Sequence, residues 1–340
     1  MVTDLVMRGT MEQDKSEKNR KSDAIFIVLF LITTSLYGFI VYCLFLILFG
    51  EFDQSSGVML LSFLCGLPIS LGSLTASVLK LYTKNSPSMI YVYCFLPIIA
   101  TVILSAVFLG EGVICIIMAL PIFIIGITIG AALGSSLVKY QKLRSKKYVS
   151  VIALAPLVLG FYEQNINPVH SLQTLEREVF IESPASSIWP IILSPSDIEE
   201  VELSDGFVYK IGAPYPVSAI TEKPEVGGIR HSVWQKGVTF DEEITAIKEH
   251  EYIEWVYHFE DDSFPPGSLD DHIKIGGTYF DLLKTSYSLQ PEKSGTILKL
   301  KIDYRVSTNF NWYANLWGDF IIGNTAETLL NFYKTRSENN

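Results

Sequence analysis

Beyond residue 160 the sequence has no cysteine, and before that point it has no tryptophan. Cys43, Cys65, Cys94 and Cys115 all sit in apolar runs of the first half, while Trp189, Trp234, Trp255, Trp312 and Trp317 all sit in the second. No disulfide framework staples the second half, so its core must hold by packing alone, and cysteine usage leaves the compartment open. Charge is absent from four further stretches: Ala24–Phe49, Val58–Leu79, Met89–Leu109 and Val113–Val138 contain no Asp, Glu, Lys, Arg or His. Proton relays and ion pathways need such groups at membrane depth, so these runs read as an anchor or bundle, not a pump. The P-loop, the G-x-S-x-G elbow and the dinucleotide fingerprint are missing as well.

Each uncharged run is long enough to cross a hydrocarbon core as a helix. The first is too long for a cleaved signal peptide and reads as a signal anchor. Lys15, Lys18, Arg20 and Lys21 precede it, and the following Glu51-Phe52-Asp53 loop is acidic. Lys80 and Lys84 mark the next loop, Gly110-Glu111-Gly112 the third, and Lys139, Lys142, Arg144, Lys146 and Lys147 the fourth. Basic residues thus alternate sides, which places the N-terminus in the cytoplasm of a multi-pass cell-membrane protein. Tyr148–Tyr162 is uncharged but short, with Pro156 at its middle. As a straight helix it rises roughly 22 Å against a core of roughly 30 Å. The reading adopted is that it spans, aided by snorkelling of Lys146 and Lys147, which puts the C-terminal domain outside the cytoplasm. A segment lying at the interface would instead leave that domain cytoplasmic. Gly126, Gly130 and Gly134 recur at four-residue spacing, as do Ser62, Gly66 and Ser70. Such rows permit close helix contact, either within one bundle or, through the glycine face, in a homo-oligomer.

Charge also divides the chain. The first 160 residues carry 12 Lys/Arg against 8 Asp/Glu, and the remainder carries 14 against 28. An acidic domain on a membrane anchor argues against nucleic acid or an anionic surface as partner. In this half Leu175, Arg177, Val179 and Ile181 alternate with Glu176, Glu178, Phe180 and Glu182, a strand with one buried face. Ser183-Pro184 predicts an N-cap and first-turn proline for a helix through Trp189, and a second short helix is expected over Pro195–Val201. Strands follow at Ile229–Gln235, Val238–Ile247, Glu251–Phe259, Tyr279–Leu289 and Thr296–Val306, the first two joined as a hairpin at Lys236-Gly237. The chain closes with a helix over about Asn311–Arg336, whose predicted apolar face is Trp312, Leu316, Phe320, Gly323 and Leu330.

This element order, with Glu178-Val-Phe-Ile-Glu-Ser-Pro-Ala-Ser-Ser-Ile-Trp189, resembles the SRPBCC or START-like superfamily. His272-Ile-Lys-Ile-Gly-Gly-Thr-Tyr-Phe280 and Asn311-Trp-Tyr-Ala-Asn-Leu-Trp-Gly-Asp-Phe320 resemble its polyketide cyclase/dehydrase-like branch. The resemblance implies a helix-grip α+β domain over 172–337: a curved antiparallel sheet around the long C-terminal helix, enclosing a hydrophobic cavity. The expected organisation is a cytoplasmic segment (1–23), a transmembrane region (24–162), a linker (163–171) and that domain.

A helix grip makes Trp234, Trp255, Tyr257, Tyr279, Tyr287, Tyr304, Trp317 and Phe320 candidates for the lining, since apolar pockets combine aromatics with a few polar anchors. Simple core filling is the competing role. His231 and Glu242 are the candidates for acid–base work. Glu242 falls on the apolar face of Val238, Phe240, Ile244 and Ala246 if pairing is regular, and a bulge near Asp241–Glu243 would turn it away. His231, His250, His258 and His272 show no metal-ligand spacing, so neither a metal nor a cofactor is expected. The acidic loop Glu260–His272 is a lid or a solvated connection. The function expected is membrane-anchored, non-enzymatic binding of a hydrophobic small molecule or lipid. A cyclase, dehydratase or hydrolase acting in the same cavity, and a membrane sensor or assembly protein, are the alternatives.

Overall fold

The computed structural model describes residues 2–50, 57–83, 86–139, 146–269 and 275–339; for 2–20, 146 and 147 it describes the backbone alone. The loop charges at Glu51, Asp53, Lys84, Lys142 and Arg144, the side chains of Lys15, Lys18, Arg20, Lys146 and Lys147, and His272 lie outside the described residues. The chain forms two compact units, one built mainly on residues up to Ile166 and one on Asn167–Asn340.

The first unit is helical: α1 (Val2–Phe49), α2 (Leu67–Tyr82, entered through a π turn at Ser62–Gly66), α3 (Pro87–Leu109), α4 (Val113–Lys139) and α5 (Lys146–Glu163). Lys21–Phe49, Ser62–Tyr82, Pro87–Leu109 and Val113–Lys139 are long and apolar enough to cross a membrane. Leu29, Ile32 and Leu36 of α1, Ile99 and Ile103 of α3, and Ile125 and Ile129 of α4 are exposed. Outward faces of this kind suit hydrocarbon and not water.

Several polar side chains of this unit bond between its helices. Pro156 has no N–H, which frees the carbonyl four residues earlier. That carbonyl, of Ile152, accepts from Ser70 Oγ at 2.7 Å, and the next, of Ala153, accepts from Tyr37 Oη at 2.5 Å. The Glu163 carboxylate accepts the backbone N–H groups of Leu61 and Ser62, both at 2.7 Å, at the start of the helical stretch that leads into α2. The fifth segment is therefore an integral member of the bundle, running 18 residues, or about 27 Å at helical rise. The Gly126/Gly130/Gly134 row packs on α2: a Cβ at Gly130 would lie 2.2 Å from the Ile69 carbonyl oxygen, and Ser73 Oγ donates to the Gly130 carbonyl at 2.9 Å. The face offered for a homo-oligomer is thus covered within the chain, because only glycine lets the two backbones approach so closely.

The second unit is a seven-stranded antiparallel sheet with order β1-β7-β6-β5-β4-β3-β2. Its strands are β1 (Val169–Ile181), β2 (Pro216–Thr221), β3 (Ile229–Trp234), β4 (Thr239–Lys248), β5 (Tyr252–His258), β6 (Phe280–Glu292) and β7 (Gly295–Thr308). Helix α6 (Ala185–Leu193) and the single-turn α7 (Phe207–Lys210) lie between β1 and β2, and α8 (Asn311–Asn339) closes the chain. Six strands run as consecutive neighbours from β2 to β7, and β1 joins the far edge along its whole length, Val169↔Thr308 to Ile181↔Thr296. In β7 Leu298, Leu300, Ile302, Tyr304 and Val306 are buried, the alternation of a strand with one solvated face. These residues, Ile188 and Ile192 of α6, and Ala326, Leu330 and Tyr333 of α8 belong to one core.

Four local expectations are corrected. Pro195–Val201 is not a helix; a 3-10 turn at Glu200–Leu203 and α7 follow instead, and Arg336 of α8 fixes this stretch by gripping Glu202 through Nε and Nη2 at 2.7 Å. The Ser183 hydroxyl does not cap α6 but donates to the Ser337 carbonyl at 2.8 Å, tying that corner to α8. β1 begins at Val169, inside the stretch expected to be linker, and β2 was not anticipated. The buried face of α8 is Ile322, Gly323, Ala326, Leu330 and Tyr333, whereas Trp312, Leu316 and Phe320 are exposed. Spacing of four drifts about 40° per step on a helix of 3.6 residues per turn, so that row slides off the core face.

Candidate functional site

A cavity of about 90 Å³ lies between the concave residues of the sheet and α8. Ile322, Thr325, Leu329, Phe332 and Tyr333 wall it from the helix, and Pro195, Ile198, Pro216 and Ala219 from the segment around β2. The sheet supplies the rest through alternate residues of β3 to β7, which all point one way because the strand period is two. Of the eight aromatics expected to line it, Trp234, Trp255, Tyr257 and Tyr287 do. The other four do not. Tyr304 is fully buried against α8 at Gly318, with its hydroxyl donating to Asp319 Oδ1 at 2.5 Å. Tyr279 is half-buried ahead of β6, and Trp317 meets Phe320 edge to face at 5.9 Å on the outer side of α8.

The polar centre of the cavity is an ion pair. Glu242 on β4 faces inward, 5% exposed, and its Oε2 accepts from Nη1 of Arg230, itself 6% exposed on β3. Regular β3–β4 pairing sets Arg230 directly opposite Glu242; the bulge falls further on, between Ile244 and Ala246. Arg230 Nη2 reaches the Ile192 carbonyl at 3.5 Å, and the guanidinium lies over the Trp255 ring, 4.7 Å from its centroid. Around the pair, Tyr257 and Thr285 share a 2.6 Å hydroxyl–hydroxyl bond and Trp234 Nε1 donates to Ser232 Oγ at 3.0 Å. Two buried donors on the lining have no bond: Arg230 Nε and Trp255 Nε1. The Trp255 side chain acts on both the Glu242 carboxyl and the Tyr257 hydroxyl, favouring the charged form of each.

Burial pushes the Glu242 carboxyl above the ordinary carboxylate range, and Arg230 pulls it part of the way back. Burial likewise works against the charge on Arg230, which Glu242 together with Tyr333 and Tyr287 more than offsets. A guanidinium does not deprotonate in proteins, and a neutral Glu242 would leave it as a bare buried cation, so the pair is ionised. Desolvation raises Tyr257, Tyr287 and Tyr333, keeping all three phenols neutral.

His231, a candidate for acid–base work, is turned outward as an ordinary strand histidine. It lies opposite Asp241, and its ring nitrogens bond Asp241 Oδ1 at 2.7 Å and Glu222 Oε1 at 3.1 Å. His258, likewise outside, bonds Glu243 Oε2 at 2.9 Å. Sequence reasoning missed Arg230. Its signal was present: on a strand starting at Ile229, Arg230 shares a face with Ser232 and Trp234. Among the described residues, no group of three or more His, Cys, Asp or Glu is placed to hold a metal ion.

No family model and no curated protein matches this chain. Solved structures similar to its second half include a Mesorhizobium loti protein (15% identity, 48% of this chain and 98% of that one, TM-score 0.28). A Nitrosomonas europaea protein (14%, 48% and 95%, 0.29) and norcoclaurine synthase from Thalictrum flavum, in complex with dopamine and hydroxybenzaldehyde (11%, 49% and 87%, 0.29), are also similar. At these identities and scores nothing of what those proteins do transfers to this one. The seven-stranded antiparallel sheet and the long C-terminal helix α8 match the architecture expected of a helix grip.

The outward histidine yields a pH prediction. Hydrogen bonds to Glu222, then Asp241, hold His231 above the ordinary histidine value. A raised folded-state pKa contributes stability that is fully present below the unfolded value, about 6.5, and is lost as pH rises through the folded value. The contribution is small because the ring is half exposed. The His231 titration followed by NMR should have its midpoint above 6.5 and fall back toward that value in Glu222→Gln/Asp241→Asn. An unchanged midpoint in the double variant would remove this assignment.

Proposed function

We propose that this chain is a membrane-tethered binder of a compact apolar ligand, held in the cavity between the sheet and α8. The observation that carries the reading is an apolar, aromatic-walled cavity with a buried ion pair among its lining residues. Recognition sites for small molecules have this composition. Size narrows the ligand. At about 90 Å³ the space is well under the roughly 300–1,000 Å³ of pockets for drug-sized molecules, which favours a small apolar molecule or the end of a longer one. Binding is favoured over catalysis because Glu242, the one carboxylate among the described lining residues, is bonded to Arg230 and is no free proton donor.

The test uses the full chain purified in nanodiscs, with small molecules released by denaturation and identified by mass spectrometry. Ala219→Phe, which fills the cavity from β2, serves as the comparison. A compound carried by the wild type and missing from the variant is the expected result, provided tryptophan fluorescence reports the variant folded. Identical extracts from the two proteins would refute ligand binding in this cavity and favour the sensor or assembly reading.

The tether reading extends to orientation. We place the N-terminus in the cytoplasm and the sheet-and-helix unit on the opposite side, on the alternation of basic loops in the sequence. The 18-residue length of α5 and its bonds to Ser70 and Tyr37 support a fifth crossing. Alkaline phosphatase fused to the C-terminus should be active; an inactive fusion, with an active cytoplasmic reporter at the same point, would reverse the placement.

A further inference from the structure

We propose that the first three turns of α8 dock on the bilayer that holds this chain, with Trp312, Leu316 and Phe320 set into its interfacial layer. The partner is a lipid surface, met by apolar insertion and not through headgroup charge. This reading rests on the membrane tether of the preceding subsection and is independent of the cavity and of the side on which the domain lies.

The outer stripe of α8 changes character along its length. Trp312, Leu316 and Phe320 are 69%, 63% and 47% exposed, and residues four apart on a helix are neighbours, so the three form one row. At 3.6 residues per turn, Glu327 and Asn331 point within about 20° of Phe320 and continue the same stripe. Both are exposed, and every exposed residue from Ile321 to Asn339 is polar. A helix that faces water along its whole length keeps polar residues outward throughout, so the switch after Phe320 marks a change of medium. Phe207 of α7, itself exposed, meets Phe320 edge to face at 5.7 Å, and Val169 and Leu172 are exposed at the start of β1. Large apolar side chains gathered at one end of a domain mark an interaction surface, as single scattered ones do not.

The tether decides what covers this surface. The five residues 164–168 join α5, which ends at Glu163, to β1, which begins at Val169. Fully extended they reach roughly 20 Å. The Ile166 N–H donates to the Glu163 carbonyl at 2.8 Å, a turn that shortens the reach. The start of α8 is tied to the start of β1: Asn311 Nδ2 donates to the Val169 carbonyl at 2.6 Å and Asn315 Nδ2 to Ser171 Oγ at 3.0 Å. Further along, Arg177 Nε donates to Glu327 at 2.8 Å, so α8 runs beside β1 away from the tether. The apolar row therefore sits at the tethered end of the domain and the polar stripe beyond it. The interfacial layers of a bilayer, where tryptophan rings concentrate, extend roughly 5–8 Å past the hydrocarbon on each side. Charge agrees with apolar insertion. Asp319 is the one charged residue from Asn311 to Ala326, and its carboxylate accepts from Tyr304 Oη. With no Lys or Arg there, the row has nothing to draw anionic headgroups, and Trp, Leu and Phe supply the attachment.

The experiment places the full chain in nanodiscs of phosphatidylcholine brominated either near the carbonyls or deep in the acyl chains, and follows tryptophan emission. The first half has no tryptophan, so quenching reports the second half alone. Shallow bromines should quench the wild type more than deep ones, and most of that quenching should be lost in Trp312→Phe. Adding Leu316→Trp to this variant should restore it. Both positions are exposed, so neither substitution endangers the fold. If aqueous acrylamide quenches Trp312 while bromines at both depths do not, the row faces water and docking is overturned. Shielding from bromine and acrylamide alike would overturn it in favour of a protein surface, either the chain's own helices or a second copy. Ile99→Trp, at an exposed position of α3, made in the Trp312→Phe protein, tests the tether separately. Deep bromines that quench this tryptophan but leave Trp312 untouched at either depth defeat docking alone. Bromines that reach neither defeat the tether as well.

Discussion

The sheet-and-helix unit depends on one buried charge pair. Placing Arg230 and Glu242 inside an apolar core costs several kcal/mol of desolvation per ion, and their attraction offsets this only when the bonding geometry is good. Here one guanidinium nitrogen holds the carboxylate, another reaches a backbone carbonyl of α6, and the flat face of the group rests on Trp255. The aromatic wall follows from this arrangement. Tyr287 packs 5.5 Å from Trp255 and edge-on to Tyr333 of α8, so sheet and helix meet through rings that also enclose the pair. A well-packed hydrophobic replacement would satisfy stability alone, which is why the pair points toward recognition.

Much of the architecture was legible in the sequence because it follows from periodicity. The uncharged runs, the strict alternation from Leu298 to Arg305 and the opening strand before Trp189 each emerge from spacing and solvent alone. The site was less legible, and a single residue of turn length explains most of the difference. A two-residue turn at Lys236-Gly237 would set His231 opposite Glu242. The observed turn takes three residues, Gln235–Gly237, and so sets Arg230 there and sends His231 outward to Asp241. Changing register by one residue exchanges the two faces of a strand. For Glu242 the sequence leaned toward a bulge near Asp241–Glu243 that would turn it away, whereas the irregularity lies between Ile244 and Ala246 and leaves Glu242 facing inward.

On α8 the difficulty was rotational. Trp312, Leu316 and Phe320 have helical spacing and large apolar side chains, yet the sheet is met by a different stripe. Gly318 lies on that stripe, where a Cβ would come 3.1 Å from the Tyr304 ring. A small residue at such a contact gives no hydrophobic signal in a sequence. In the helical unit, by contrast, small residues were the signal: the glycine row of α4 was visible, and α2 proved to be what it packs against. The carbonyl released by Pro156 and collected by Ser70 was not foreseeable, because it joins residues 82 positions apart.

The most direct test of the account is a double-mutant cycle on the full chain between Arg230→Met and Glu242→Leu. Unfolding is followed by tryptophan fluorescence, which reports the second half alone because all five tryptophans lie there. Each single substitution strands a buried charge and should cost about 3–5 kcal/mol, while the double substitution should cost far less than their sum. Additive losses would mean that the two side chains do not meet inside the protein, and the cavity described here would lose its polar centre.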